Sequence, residues 1–141
     1  MPAIAAGNWL LDTGPVVAFL SRADAAHEAC VAAIKQVRGK LLTSEAVLAE
    51  AMRFCSRRAD GAQAGLEFFL RAGTLVMPMT PRRLARCREL LTRYAEVPMD
   101  YADATLVTLA EDLGLGRVLT LDRRSFSTYC WKQNRSFVIA P

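Results

Sequence analysis

Histidine is nearly missing from this 141-residue sequence: His27 is the only one, and it sits in an Ala-rich stretch with helical character. A catalytic role for it is not expected. The four cysteines, Cys30, Cys55, Cys87 and Cys130, are far apart and form no C-x-x-C pair. With one histidine to join them, a zinc site has too few clustered ligands, and a disulfide framework is equally weak. Each cysteine lies among apolar or helix-forming neighbours and reads as a small buried thiol. No G-x-G-x-x-G follows a strand-like run, which disfavours a dinucleotide-binding fold. Long apolar runs are lacking too, since no segment approaches the roughly 20 uncharged apolar residues of a membrane helix. Met1 to Leu11 is apolar enough to suggest a signal peptide, but it has no basic n-region and runs straight into Asp12. The expectation is a cytoplasmic protein with no membrane association, forming one domain over residues 1–141.

What is present is apolar residues and arginine. The hydrophobic share is 52% and the net charge +4, with fifteen of the eighteen basic residues being arginine. Arginine binds phosphate in a planar, bidentate manner, so the bias suits a nucleic-acid-binding surface. A GC-rich genome replacing Lys by Arg on ordinary solvated helices would produce the same count. The clusters Arg57-Arg58, Arg82-Arg83-Arg86-Arg88 and Arg123-Arg124 say more than the total.

Along the chain, strand-like and helix-like segments alternate. Trp9 to Leu11 is an apolar run, Thr13-Gly14-Pro15 reads as a turn, and a short helix follows over Val16 to Leu20. Ala23 to Val37 has helical periodicity and stops before Gly39. Lys40 to Thr43 is strand-like, and Ser44 caps a helix from Glu45 to about Arg58. Asp60 to Ala72 is helical and closed by Gly73. Leu75 to Met77 is a third strand. Thr80 caps a helix with Pro81 at its first position, running to about Tyr94. A helix over Asp100 to Leu113 ends at Gly114, followed by a strand from Val118 up to Asp122. An irregular segment through Tyr129 and Trp131 then leads to a last strand at Phe137 to Ile139. Such alternation predicts an α/β fold with a mostly parallel sheet flanked by helices.

Two aspartates, Asp12 and Asp122, directly follow apolar runs far apart in sequence. In an open α/β sheet, ligands gather outside the carboxyl ends of the strands, where the strand order reverses. Acids brought together there repel one another unless they are protonated or neutralised by a cation. Asp103 falls within the apolar stripe of Leu106, Val107, Ala110 and Leu113, so its carboxylate needs a partner. A metal would supply one. A capping box with Asp100 as N-cap and Asp103 at the third helical position would also explain it, and the two roles are compatible. Asp100, one turn earlier, either assists the site or only caps the helix. Glu50 lies outside its helix's apolar stripe, beside Phe54, and periodicity alone makes it solvated. Glu45, at the same helix's start, favours the helix dipole. Arg123 and Arg124 follow Asp122 immediately and would place two cations at the rim of any site it belongs to.

Four stretches in order, Leu10-Leu11-Asp12-Thr13-Gly14-Pro15, Thr43-Ser44 leading to Leu48-Ala49-Glu50, Met99-Asp100-Tyr101-Ala102-Asp103-Ala104 and Leu119-Thr120-Leu121-Asp122-Arg123-Arg124-Ser125-Phe126, resemble the PIN-domain ribonucleases, most nearly the VapC-type toxins of bacterial toxin–antitoxin pairs. The likeness spans nearly the whole chain. It implies a PIN-like fold with a parallel sheet of about five strands, and an acidic site of Asp12, Glu50, Asp103 and Asp122. Asp12, Asp103 and Asp122, with Asp100 nearby, would hold Mg2+ or Mn2+, supported by Thr13 and Thr120. It also implies an RNA substrate, a homodimer and an antitoxin partner that blocks the site, to which Phe54, Leu66, Phe68 and Phe69 could present an apolar patch. Core packing explains these four residues equally well. Ser125 stands where family members commonly carry an acid.

Rival readings lack their residues. A haloacid-dehalogenase-type phosphatase wants a second Asp where Gly14 stands, and a response-regulator receiver wants an acidic pair before its phosphoacceptor, which Asp12 lacks. A PIN-like domain that binds RNA or protein without cutting, and a housekeeping RNA-processing nuclease, are the remaining alternatives.

Overall fold

The structure is a computed structural model that describes residues 7–141; most of the Met1 to Leu11 stretch considered as a signal peptide lies outside the described residues. Five strands, β1 (Trp9–Leu11), β2 (Leu41–Ser44), β3 (Leu75–Met77), β4 (Arg117–Leu119) and β7 (Val138–Ala140), form one sheet in the order β3-β2-β1-β4-β7. Every pairing in it is parallel. Two further short strands, β5 (Cys130–Trp131) and β6 (Arg135–Ser136), pair antiparallel as a separate ribbon.

Side chains of a strand alternate between the faces of the sheet, and here both faces are covered. Leu10, Leu42 and Val118 pack with Leu90, Leu106 and Val107, whereas Trp9, Leu11, Leu41 and Leu119 pack with Val16, Ala51, Phe68 and Phe69. The second group comes from α1 (Thr13–Leu20), α3 (Glu45–Cys55) and α4 (Gly61–Arg71), and α2 (His27–Gln36) adds Ala33. The first comes from α5 (Pro81–Arg93) and α6 (Tyr101–Leu113). Burial on both sides explains why the central strands β1 and β4 read as short continuous apolar runs. In α6, Ala102 and every residue from Ala104 to Ala110 are buried, which makes it the central helix of its layer.

The local details correct several expectations. Thr13-Gly14-Pro15 is the first turn of α1 rather than a separate turn. Asp12 caps that helix, and proline is tolerated in a first turn because its missing N–H has no partner there. The helix expected from Ala23 starts at His27, since the Asp24 carboxylate accepts from Ala26 N (2.8 Å) and holds the preceding residues in a turn. The fourth strand ends at Leu119, and Leu121 is exposed. The segment through Tyr129 and Trp131 is not irregular: it contains α7 (Arg123–Thr128) and the β5–β6 ribbon. The capping box of Asp100 and Asp103 is formed. His27 Nδ1 lies 2.8 Å from the Ala18 carbonyl and ties α2 to α1. Cys30, Cys55 and Cys87 are buried free thiols, and Cys130 is half-buried and free.

The basic cluster of α5 has a structural use. Arg86 grips Glu111 through two bonds, Nε to Oε1 at 2.7 Å and Nη2 to Oε2 at 3.0 Å, and Arg82 and Arg83 both bind Asp112. These pairs fasten α5 to the C-terminal half of α6, and therefore set the attitude of the helix whose other end carries Asp100 and Asp103.

Candidate active site

From β1 the sheet grows outward to β2 and β3 on one side and to β4 and β7 on the other. The strand order reverses at the β1–β4 junction, and a crevice opens beyond the carboxyl ends of those two strands. Asp12 follows β1 and Asp122 stands three residues past the end of β4. Asp12, Glu50, Asp100, Asp103 and Asp122 all line one open cavity of about 550 Å³ there. They arrive from the end of β1, from α3, from the start of α6 and from the start of α7. Asp24, which the sequence did not single out, lines the same cavity, and no lysine or arginine does.

Three of these acids are helix N-caps. Asp12 Oδ1 accepts from Thr13 N (2.8 Å), Asp100 Oδ1 from Asp103 N (2.8 Å) and Asp122 Oδ1 from Ser125 N (3.2 Å). Each thereby sits at the positive end of a helix dipole, which offsets part of the charge gathered in the cavity. One threonine joins the two halves. Thr120 Oγ1 donates to Asp12 Oδ2 (2.7 Å) and accepts from Asp122 N (3.0 Å). Thr13, the first residue of α1, lines the cavity.

Asp103 has a partner that sequence reasoning missed. Tyr129, fully buried between Tyr94 and Phe126, donates its hydroxyl to Asp103 Oδ2 at 2.9 Å. Burial and the neighbouring Asp103 charge push the Tyr129 hydroxyl well above its ordinary range, so it stays a donor. The only signal in the sequence was an aromatic residue shortly after the last acid. A second link anchors the same helix, because Ser44 Oγ lies 2.7 Å from Thr105 Oγ1 and Thr105 donates to Ala102 O. Glu50 departs from the periodicity reading, since it is half-buried and faces the acids beside Phe54. The reason is tertiary: α1 packs against α3 and walls in the flank that a helical wheel leaves open.

Asp12 is only 8% exposed. Its carboxyl is raised from an ordinary 3.8 to about 6, chiefly by burial, with the charges of Glu50 and Asp100 adding to the effect and the bonds from Thr120 and Thr13 opposing it. Asp103 is raised to about 7, first by burial and then by the charge of Asp100, against the Tyr129 bond. Carboxyls held this far up in a shared cavity favour a cation that would let them ionise together.

The donor chemistry fits a hard divalent ion. All the side-chain donors are oxygens, most of them carboxylate. Among the described residues no three His, Cys, Asp or Glu side chains stand close enough to form a complete cage. An ion that keeps several of its waters and takes one or two carboxylates suits such an open arrangement.

Residues 9–132 match the PIN domain family model. The chain belongs to the PIN domain family. Three solved structures resemble it in fold: Mycobacterium tuberculosis VapC20, described as a sarcin-ricin loop cleaving toxin (23% identity, TM-score 0.71, covering 80% of this chain and 87% of that one); VapBC2 from Rickettsia felis, bound to a DNA fragment from their promoter (15%, 0.68, 95% and 99%); and PAE2754 from Pyrobaculum aerophilum (22%, 0.55, 94% and 92%). No curated protein sequence matches significantly.

Proposed function

We propose that this protein, one domain over residues 1–141, is a metal-dependent endoribonuclease of VapC type and the toxin of a toxin–antitoxin pair. The observation that carries this reading is the meeting of six carboxylates, Asp12, Asp24, Glu50, Asp100, Asp103 and Asp122, in one cavity of a PIN-family fold that, among the described residues, no lysine or arginine lines. Asp12, Glu50, Asp103 and Asp122 form the catalytic set, and Asp12, Asp103 and Asp122, with Asp100, are the carboxylates that would hold Mg2+ or Mn2+, one or two of them directly and the rest through the waters the ion keeps. When bound, the ion would neutralise charge on the phosphoryl oxygens and lower the pKa of the attacking water. Thr120 keeps Asp12 turned toward the cavity, and Tyr129 does the same for Asp103. Glu50, brought to the same cavity by α3, is the carboxylate assigned to take the proton of that water. No nucleophilic side chain is needed.

Two solved structures of similar fold support the biological half of the proposal: VapC20 is a sarcin-ricin loop cleaving toxin, and the R. felis structure is of VapBC2. The partners are RNA, a cognate antitoxin and a second copy of the chain. Leu66 and Leu70 on α4, exposed at 49% and 76%, and Leu75 and Val76 on the edge strand β3 offer apolar surface for a protein partner. Phe68 and Phe69 are core residues instead. Arg124, exposed at the start of α7, is a candidate RNA contact at the rim, and Arg123 is a second although it donates to the Pro141 carbonyl. Among the described residues no helix is long and apolar enough to cross a membrane, and we place the protein in the cytoplasm.

The test is cleavage of total cellular RNA with manganese, with EDTA, and by the Asp12→Asn, Asp103→Asn, Asp122→Asn and Glu50→Gln variants, with new ends mapped by sequencing. Metal-dependent cuts lost in all four variants are expected. Undiminished cutting by the Asp variants would sink the site assignment. No cutting, together with no manganese binding by calorimetry, would leave a non-catalytic binding domain.

A further inference from the structure

A second cavity of about 440 Å³ adjoins the acidic one, and Val17, Asp24 and Phe54 line both. Its far side carries Arg57 and Arg58 from the turn after α3, and Asp60 at the cap of α4. The two cavities differ in charge. The acidic one has no cationic side chain in its lining, so a polyanionic strand reaching it must be held from beside it.

Most of the chain's arginine clusters are already engaged. Arg82, Arg83 and Arg86 bind Asp112 and Glu111, and Arg123 bonds the Pro141 carbonyl. The cluster around Phe54 is different. The Arg57 guanidinium lies 4.8 Å from the Phe54 ring centroid and that of Arg53 lies 5.5 Å away, and neither has an acidic partner among the described residues. Arg58 Nη2 donates to Ser21 Oγ at 2.8 Å, which holds it across the gap between the ends of α3 and α1. Asp60 caps α4 with its backbone only, so its carboxylate keeps its acceptor capacity.

We infer that this second cavity is a subsite for one unpaired RNA nucleotide next to the bond being cut. The inference rests on the ribonuclease reading above and deepens it. Phe54 with the guanidiniums layered over it is the stacking platform for the base, the N–H edges of Arg57 and Arg58 hold its phosphate, and Asp60 offers an acceptor to base amino groups. An aromatic ring overlaid by arginine guanidiniums is an arrangement that suits single-stranded nucleic acid, because bases stack on guanidinium planes as on aromatic faces and every nucleotide has a phosphate to neutralise. Phe54, as a wall of both cavities, sets the path from the subsite to the carboxylates.

The experiment uses a mixed-sequence single-stranded oligoribonucleotide, with cleavage kinetics in manganese and with anisotropy on the cleavage-dead Asp12→Asn protein. Phe54→Leu is expected to raise KM and weaken binding about tenfold, the scale of one lost stacking contact, while lowering kcat far less. Phe54→Trp should restore most of the binding. Arg57→Gln, at an exposed position that does not threaten folding, should weaken binding and flatten its salt dependence. Unchanged KM and affinity in both Phe54→Leu and Arg57→Gln, with cleavage intact, would overturn the subsite and leave the groove to a protein partner. A wild-type protein that neither cuts nor binds RNA would overturn the ribonuclease reading, and the subsite with it.

Discussion

At the scale of single residues, the site depends on hydrogen bonds that aim carboxylates at a shared space. Tyr129 is the clearest case, because its hydroxyl reaches Asp103 from inside the core. Tyr129→Phe removes that donor and leaves the ring. A bond to a charged acceptor contributes about 1.5–3 kcal/mol, so a loss of roughly tenfold or more in kcat/KM is expected, together with weaker manganese affinity by calorimetry. Unchanged affinity would mean that Asp103 is oriented without it. The raised carboxyls make a second prediction. A group whose folded pKa lies above its unfolded value contributes stability below the unfolded pKa and loses it as pH rises through the folded one. For Asp12 the window runs from about 4 to about 6, and for Asp103 up to about 7. In EDTA the melting temperature should therefore fall as pH rises across that window. Asp12 alone accounts for about 3 kcal/mol at most, and the more accessible Asp103 for less. Asp12→Asn should flatten the profile, and manganese at pH 8 should recover the lost stability. A melting temperature rising with pH in EDTA would contradict the assignment.

At the scale of elements, the same residue type serves opposite ends. Arg86 bonds Glu111 and clamps α5 on α6, while Arg57 and Arg58 line the cavity beside the acids. Arg86→Gln should lower stability by about 1 kcal/mol and leave RNA affinity unchanged, as read by melting and anisotropy in parallel. The turn between α3 and α4 is tight for a definable reason. A Cβ on Gly61 would stand 1.7 Å from the Cys55 carbonyl oxygen, so Gly61→Ala must push the start of α4 away from the end of α3. A cost of about 1–3 kcal/mol is expected, visible as a melting temperature several degrees lower. Since Gly61 and Phe54 line the same cavity, RNA affinity should fall as well.

At the scale of the whole molecule, the topology brings distant acids together. Asp12 and Asp122 are 110 positions apart by number, yet β1 and β4 are neighbours in register Leu10↔Val118 and Leu11↔Leu119. Thr120 closes the gap between the two ends. The two buried layers on either side of the sheet then fix α3 and α6, and with them Glu50 and Asp103.

Local chemistry carried most of the elements. The apolar runs, the caps at Ser44, Thr80 and Asp100 and the glycine stops are short-range signals, and a parallel α/β sheet follows from their alternation. The same signals flagged Asp12, Asp103 and Asp122, because a carboxylate at a strand end or inside an apolar stripe breaks a local rule. Resemblance, not periodicity, nominated Glu50, since what surrounds an exposed helix flank depends on a neighbour elsewhere in the chain. Tyr129 and the Arg57–Phe54 cavity had no sequence signal strong enough to find them. An aromatic ring reads as core whether or not its hydroxyl meets an acid, and an arginine reads the same whether it clamps a helix or faces a groove. Only the packing of β5, α6, α1 and α3 against one another decides between those uses, because the partners that define them are brought together by the fold.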